Sequence, residues 1–162
     1  MQNQDESGRS MIEMLGVLSI MGVIVYGAVA GINFGLDMYK LNATYREVDE
    51  LAQSIVDLSS WTTDYSHLTA KRICDNDAYP TCSCTGGNCT LTNEWGGGVT
   101  VAKYGQFFQI TYKQIPEAAC ERLRAETGFQ HVCVKQNEIT CGSSSTITFY
   151  ARGSDKCNIP TP

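Results

Sequence analysis

The pattern of hydrophobic and polar positions divides the N-terminal part of the chain into a polar start and a long apolar run. Residues 1–8 read MQNQDESG, and residues 14–36 read MLGVLSIMGVIVYGAVAGINFGL, which is 23 positions without a charged side chain. A helix of this length measures about 35 Å, which is enough to cross a hydrocarbon core of about 30 Å. The run therefore predicts a membrane-spanning helix.

A cleaved secretory signal peptide is the alternative for this segment, with the GAVAG stretch as its cleavage site. Such a peptide has a basic start and an apolar core of about 7–15 residues. Here the start carries Asp5 and Glu6, and the apolar run is longer than such a core. The pattern favours a retained span over a removed signal.

Beyond Asp37 the pattern becomes amphipathic. Apolar residues recur at steps of three and four positions, and charged residues fall between them. Because no Pro or Gly interrupts residues 36–60, the spacing predicts one helix from about Met11 to Ser60, roughly 75 Å long. Its second half has one apolar face that needs a partner. The positions of that face are Leu41, Tyr45, Val48, Leu51 or Ala52, Ile55 and Leu58.

The remaining residues predict a small β-rich domain with one short helix. Residues 61–98 carry the stretches TTDYSH, DNDAYP, TGGN and GGG, which indicate loops. A helix is expected at QIPEAACERLRAE, where Pro116 suits the first helical position and Gly128 a helix stop. The predicted fold class is α+β, a long helix whose second half packs on a small antiparallel sheet. Its strands are expected at VTVAKY, QFFQITYKQ, QHVCVKQ, NEITC and SSTITFYAR.

Eight cysteines all follow residue 73, in the polar part of the chain. An even number after a membrane-like helix indicates disulfides in an oxidising compartment. A zinc site is the alternative for the first four, but their spacing C-x7-C-x-C-x4-C lacks the paired C-x2-C of such sites. Cys133 and Cys141 flank KQNE, which suggests a hairpin with these two side chains facing each other. The disulfide candidates are Cys74, Cys82, Cys84, Cys89, Cys120, Cys133, Cys141 and Cys157.

Charge and composition argue against several functions. With 12 Lys+Arg against 17 Asp+Glu the net charge is −5, so no nucleic acid is expected to bind this chain alone. His67 and His131 are the only histidines, and the serines at 143–145 lack a G-x-S-x-G elbow. The acidic residues at 75–77 lack the spacing of a calcium loop. The sequence therefore predicts neither an enzyme nor a cofactor or metal site.

One acidic residue stands at the head of the apolar run. Glu13 lies four positions after Arg9, and burying an unpaired carboxylate in hydrocarbon costs several kcal/mol. Two local explanations exist. The helix dipole favours an acid in the first turn, and residues spaced as Arg9 and Glu13 can pair within one helix.

Glycines mark one side of the apolar helix. Gly27, Gly31 and Gly35 recur at every fourth position and form a stripe of small residues. Such a stripe lets neighbouring helices approach closely, so it is predicted to be a helix-packing surface.

The first 36 residues resemble the start of type IV pilins and their pseudopilin relatives. Members carry a short polar leader that ends in Gly, a dedicated peptidase cuts after it, and Glu stands fifth in the mature chain before an apolar run. Here Gly8 matches the residue before the cut, Arg9 the new first residue and Glu13 the fifth position. The implied divisions are a leader at 1–8, an assembly helix at 9–36, its amphipathic continuation at 37–61 and an exported globular domain at 62–162.

The C-terminal part is similar to the type IVb pilins in particular. The stretches WGGGVTV, FFQITYKQIP and AAC-ER-L carry this resemblance. In that subclass a Cys at the start of a short helix pairs with one near the C-terminus, which implies a Cys120–Cys157 bridge. Arg9 departs from the family, whose members usually begin with an N-methylated Phe or another apolar residue.

The resemblance implies a structural subunit of a type IV, IVb-like pilus. Expected partners are further copies in a helical filament, a prepilin peptidase, an inner-membrane assembly platform and membrane lipid before assembly. Glu13 is expected to set subunit register by pairing with the Arg9 α-amine of a neighbouring subunit. The implied location is the bacterial inner membrane with a periplasmic C-terminal domain, and then an extracellular pilus. A pseudopilin or minor tip pilin of a type II secretion-like system is the alternative, and a membrane-anchored enzyme or binding module is a third class.

Overall fold

The computed structural model describes residues 5–59, 65–136 and 139–151, and for residues 5–10 it describes the backbone alone. One helix, α1, spans Asp5–Ser59 and has 55 residues. A 3-10 turn at Tyr65–His67 and a short helix α2 at Ala70–Asp75 follow. The chain divides into two units, residues 1–39 and residues 40–162, so that the second half of α1 belongs to the same unit as the sheet.

Helix α1 begins earlier than the predicted start near Met11. Asp5 and Glu6 are acidic residues in its first turn, where the helix dipole favours negative charge. Gly8 costs a helix interior only about 1 kcal/mol relative to Ala, so it does not end the helix. The helix therefore continues through the predicted leader junction without a break.

Six strands form one antiparallel sheet, which confirms the predicted α+β class. Their spatial order is β1-β2-β3-β4-β6-β5, so β4 and β6 lie side by side although a helix and a strand separate them in the chain. That helix is α3, Glu117–Ala125, which forms where a helix was expected, but Pro116 is its N-cap residue and not its first helical residue. The strands are β1 Cys82–Thr85, β2 Asn88–Thr92, β3 Gly98–Tyr104, β4 Phe107–Ile115, β5 Val132–Val134 and β6 Ser145–Ala151.

Two of the sequence expectations are wrong. Residues 61–98 were expected to be loop, but they contain α2 and the β1–β2 hairpin. The hairpin turns at Gly86 and Gly87, whose φ angles of 59° and 88° suit a tight two-residue turn. The expected strand NEITC is not formed over its described part, residues 139–141, and residues 137–138 lie outside the described residues.

The WGGG stretch is fixed by an irregularity in β4. Strand pairing shifts register between Tyr112 and Ile115, and Gln114 takes a φ of 59°. The Asn93 side-chain amide donates to the Lys113 carbonyl at 2.7 Å, while its oxygen accepts from the Gly97 amide at 2.8 Å. A Cβ at Gly97 would lie 1.9 Å from the same carbonyl oxygen, so only glycine fits there.

The core of the second unit joins α1 to one face of the sheet. Alternate residues of β4, namely Phe108, Ile110 and Tyr112, are fully buried, as the two-residue period of a half-buried strand requires. A chain of aromatic contacts runs from Tyr45 on α1 to Phe129 at 5.5 Å and from Phe129 to Phe149 on β6 at 5.3 Å. Most positions of the apolar face predicted for α1 are buried in this core, which confirms them. They are Leu41, Val48, Leu51, Ala52 and Ile55.

Three disulfides lie within the described residues: Cys74–Cys82, Cys84–Cys89 and Cys120–Cys141. Cys133 is disulfide-bonded as well, with a partner outside the described residues. The prediction that the cysteines form disulfides is confirmed for these seven residues.

Both predicted pairings are wrong, because Cys141 is bonded to Cys120. This excludes Cys120–Cys157 and Cys133–Cys141. The segment before Cys141 lies against α3, where the Arg124 guanidinium donates to the Ile139 carbonyl at 3.5 Å. Strand β5, which carries Cys133, pairs with β6 rather than with residues 139–141. The described flanks of KQNE, β5 and residues 139–141, therefore do not pair in a way that would bring Cys133 to Cys141.

Candidate assembly helix

The first part of α1 presents apolar side chains on all sides. Every large hydrophobic residue between Met11 and Leu36 is between 52% and 79% exposed in the single chain. The most apolar 18-residue window of the helix has a mean hydropathy of 2.2, and by length and composition the helix could cross a membrane. Such a surface is unfavourable in water and calls for lipid or other apolar helices around it.

Two sets of polar groups in this apolar stretch are satisfied within the helix, the Ser19 hydroxyl and the backbone. The Ser19 hydroxyl donates to the Leu15 carbonyl four residues earlier at 2.8 Å. The backbone amides and carbonyls are paired along the helix, which is the condition for burying a segment in hydrocarbon. Glu13 is then the one residue of 11–36 with a charged side chain.

Glu13 lies on α1 with an exposed side chain. Gly8 and Arg9 are part of the same helical backbone, and their side chains lie outside the described ones. Among the side chains that the structure describes, no basic group forms an ion pair with Glu13. Its carboxylate therefore needs a counter-charge from Arg9, from the chain terminus or from another molecule if it is to be buried.

The three glycines of the predicted stripe leave open space beside the helix. A Cβ added at Gly27, Gly31 or Gly35 would meet no atom within 4 Å. Nothing in the single chain therefore explains their small size. The stripe as a helix-packing surface stays a prediction.

The second part of α1 carries polar contacts that tie it to the globular unit. The Asp49 carboxylate accepts from the backbone amides of Gln130 and His131, each at 3.1 Å. The Thr44 side chain is fully buried and donates to the Lys40 carbonyl at 3.0 Å. The Asp49 contacts hold the helix against the segment that leads into β5, whereas the Thr44 bond stays within α1.

Glu47 is a buried acid on the same part of α1, with 8% of its surface exposed. The Tyr79 hydroxyl donates to Glu47 Oε2 at 3.2 Å. Burial, and then repulsion from the Glu94 carboxylate, raises the pKa of Glu47 to about 7, while the Tyr79 hydrogen bond opposes this shift. Burial likewise raises the pKa of Tyr112, whose hydroxyl lies deep in the same region.

Sequence reasoning missed these polar residues. The charged residues of this half of the helix were placed between the positions of its apolar face, yet one of them, Glu47, is buried. The available signal was its place on the helix, since Glu47 lies four positions before the buried Leu51 and three after the buried Thr44. The anchoring role of Asp49 left no local signal, because its partners are more than 80 residues away.

Among the described residues, one group of side chains has the composition of a metal site. The Sγ atoms of Cys74, Cys84 and Cys89 lie within 4.8 Å of one another. All three are engaged in disulfides, and it is the thiolate form of cysteine that binds metals. The assignment of these cysteines to disulfides is thus confirmed over the zinc alternative for the oxidised chain.

Comparison with protein families gives one match. The family described as PilS N terminal matches residues 38–158, which is three quarters of the chain. A comparison with curated proteins and with solved structures found no match. The matched region begins in the second half of α1 and includes every strand of the sheet. The chain therefore belongs to the PilS N-terminal family, a family of type IV pilin-like proteins, and is a pilin-like pilus subunit.

Proposed function

We propose that this chain is a prepilin that is cut after Gly8 and then polymerises through residues 9–36 of α1. The observation that supports the proposal most directly is the exposed apolar surface of α1, in which Glu13 is the one charged side chain between residues 11 and 36. In a filament the helices of many copies would surround one another and bury this surface. Because lipid already keeps this surface out of water before assembly, close packing between helices and the pairing of Glu13 would drive assembly, and the bundle would keep the surface dry once the filament leaves the membrane.

Glu13 has a specific role in this proposal. The cut creates an α-ammonium on Arg9, four residues before Glu13 and therefore one helical turn away. The Glu13 carboxylate of one subunit would pair with the Arg9 α-ammonium of its neighbour inside the dry helix bundle. A subunit out of register would leave both charges unpaired, at a cost of several kcal/mol. The pair would therefore set the axial stagger more than it adds stability.

Processing then acts as the switch for assembly. In the uncut chain residues 1–8 precede Arg9, so the nitrogen at position 9 is a neutral peptide nitrogen. The cut converts it to an α-ammonium, the charge that Glu13 would pair with in the bundle. A prepilin peptidase would supply the cut, an inner-membrane platform would add subunits, and lipid would surround the helix before assembly.

The disulfides support an orientation for the unassembled chain. Disulfides persist outside the reducing cytoplasm, and all eight cysteines lie in residues 74–157. The C-terminal domain would therefore face the periplasm while α1 spans the inner membrane, and it would lie outside the cell after assembly.

The test compares Glu13→Gln with the wild-type chain in the native host. The amide keeps the size of the side chain and removes its charge. We expect Glu13→Gln to accumulate in the membrane and to lose residues 1–8, but to give few filaments in sheared supernatants. The control is Asp37→Gln, which removes an exposed acid beyond the apolar run and should leave filament yield unchanged.

A normal filament yield for Glu13→Gln would show that the acid does not set register. It would leave a first-turn role or an Arg9–Glu13 pair within one helix as the explanation. Filaments visible in the wild-type supernatant also separate a pilus subunit from a pseudopilin of a secretion machine.

A further inference from the structure

Four cysteines come together where α2 meets the β1–β2 hairpin. Cys74 lies in the last turn of α2, and Cys84 and Cys89 are direct partners across the two strands of the hairpin. Cys82 precedes Cys84 by two residues and therefore points to the same face of β1. The bonded pairs are Cys74–Cys82 and Cys84–Cys89.

The two bridges lie against each other. The Sγ atom of Cys74 is within 4.8 Å of both Sγ atoms of the neighbouring bridge, those of Cys84 and Cys89. Cys82 completes the group because it is bonded to Cys74. Over the described part of the chain, no other cysteines form a group of three with their sulfurs this close.

Solvent reaches this group. The Cys84 side chain is exposed at the end of the hairpin, and the other three are half-buried. The hairpin has independent support, because the Thr81 hydroxyl donates to the Thr92 carbonyl and Leu91 is 2% exposed in the core. A change in the sulfur pairing therefore leaves the hairpin in its place.

We propose that Cys74, Cys82, Cys84 and Cys89 form one exchange site, in which a thiolate released from either bridge attacks the other bridge. The incoming reactant is a thiol, either a small one or the reactive cysteine of a thiol–disulfide oxidoreductase. The site thereby gives the hairpin more than one covalent state.

The steps conserve disulfide bonds. The external thiolate attacks Cys84 Sγ, forms a mixed disulfide with it, and releases Cys89 as a thiolate. The Cys89 thiolate attacks Cys74 Sγ, forms a Cys74–Cys89 bond, and releases Cys82 as a thiolate. Each step breaks one S–S bond and forms one, so no oxidant or reductant other than the external thiol is consumed.

The test uses the full chain with one cysteine of a bridge replaced by serine. The other cysteine of that bridge is then a free thiol, so the exchange can start without an external thiol. Cys82→Ser leaves the thiol on Cys74. We expect this thiol to attack Cys84–Cys89, so that the free thiol is found on Cys84 or Cys89. The reaction is quenched in acid, free thiols are alkylated, bridges are reduced, and the released thiols take a second label. Fragmentation of the tryptic peptide 73–103, which contains all four positions, then locates the first label.

A second variant and a control complete the test. Cys84→Ser leaves the thiol on Cys89 at the exposed end of the hairpin, and it should move to Cys82 or Cys74. Cys141→Ser leaves a thiol on the buried Cys120, which belongs to no such group and should keep its label. A label that stays on Cys74 in Cys82→Ser and on Cys89 in Cys84→Ser overturns the proposal. Equal migration of the label from Cys120 also overturns it, because exchange would then not depend on the sulfur group.

Discussion

The Tyr79 hydroxyl donates a hydrogen bond of 3.2 Å to the carboxylate of Glu47, and both side chains are buried inside the globular unit. Glu47 belongs to α1, whereas Tyr79 follows α2, so the contact joins the long helix to the segment that leads into the sheet. The charged groups that act on Glu47 are the carboxylates of Glu94 and Glu50, and both of them disfavour its ionised form. This corner of the fold therefore binds a proton near neutral pH.

The stability of the globular unit is expected to fall as the pH rises from about 4.5 to about 7. The pKa of Glu47 is about 7 in the folded chain against 4.5 for an unperturbed glutamate, so in this window the unfolded chain has lost a proton that the folded chain keeps. The proton on Glu47 makes its full contribution to the free energy of unfolding below pH 4.5, and this contribution is lost above about pH 7. Since one pKa unit corresponds to about 1.4 kcal/mol, the loss is on the order of 3 kcal/mol.

Chemical unfolding of the full chain in detergent at a series of pH values measures this effect. Glu47→Gln should remove most of the fall and be more stable than the wild type at pH 8. Glu117→Gln is the control, because Glu117 is exposed on α3 and is not among the carboxylates that act on Glu47, and it should keep the slope. A wild-type stability that is flat between pH 4.5 and pH 7 would contradict the proton-binding role.

Asp49 is expected to contribute measurably to the docking of α1. Its carboxylate accepts from the amides of Gln130 and His131, so Asp49→Ala leaves two backbone donors without this partner. The cost should be about 1–3 kcal/mol in the free energy of unfolding. Arg46→Ala breaks only the exposed pair with Glu50 at 3.8 Å and should cost less than about 1 kcal/mol. Equal effects of the two substitutions would mean that the Asp49 contact is dispensable.

The C-terminal disulfides predict a definite peptide map. Trypsin without reduction should give peptide 114–122, which contains Cys120, linked to peptide 136–152, which contains Cys141. Peptide 125–135, which contains Cys133, should be linked to peptide 157–162, because Cys133 is disulfide-bonded and Cys157 is the cysteine that remains in the sequence. Mass spectrometry distinguishes this map from the one that the type IVb resemblance implied. In that map a Cys120–Cys157 bridge links peptide 114–122 to peptide 157–162.

The glycine stripe makes a prediction that concerns assembly alone. Gly31→Leu meets open space in the single chain, so the subunit should still enter the membrane and lose residues 1–8. In a filament the added side chain would separate helices that pack on this stripe, and filament yield should drop at least several-fold. Gly22→Leu is the control, since Gly22 also faces open space but lies off the stripe. Equal filament yields for the two variants would show that the stripe is not part of the packing surface.

Much of the fold was predictable because it follows from the periodic spacing of hydrophobic residues along the chain. The amphipathic second half of α1 and the strands β3, β4 and β6 carry apolar residues at helical or alternating spacing, and both were found. The β1–β2 hairpin was not predicted, because its residues are mostly small and polar and exposed. A bridge between Cys84 and Cys89, a two-glycine turn and the buried Leu91 support it in place of an alternating apolar pattern.

Features that depend on contacts between residues far apart in the chain could not be predicted from the sequence. The partner of Cys120 is decided by where the segment before Cys141 lies on α3, and no local pattern records that position. The raised pKa of Glu47 depends on its burial and on the Glu94 carboxylate, which lies elsewhere in the chain. The assembly features at Gly8, Arg9 and Glu13 were the reverse case. They are implied by the family resemblance that their spacing carries, and the partners proposed for them belong to other molecules.

The most direct test of the proposed assembly mechanism is the mass of the polypeptide inside native filaments. Filaments sheared from the cells that make them are dissolved, and the intact chain and its N-terminal peptide are weighed. We predict a chain that begins at Arg9, four residues before Glu13, with an α-amine available for the pair. Filaments built from chains that begin at Met1 would contradict the account.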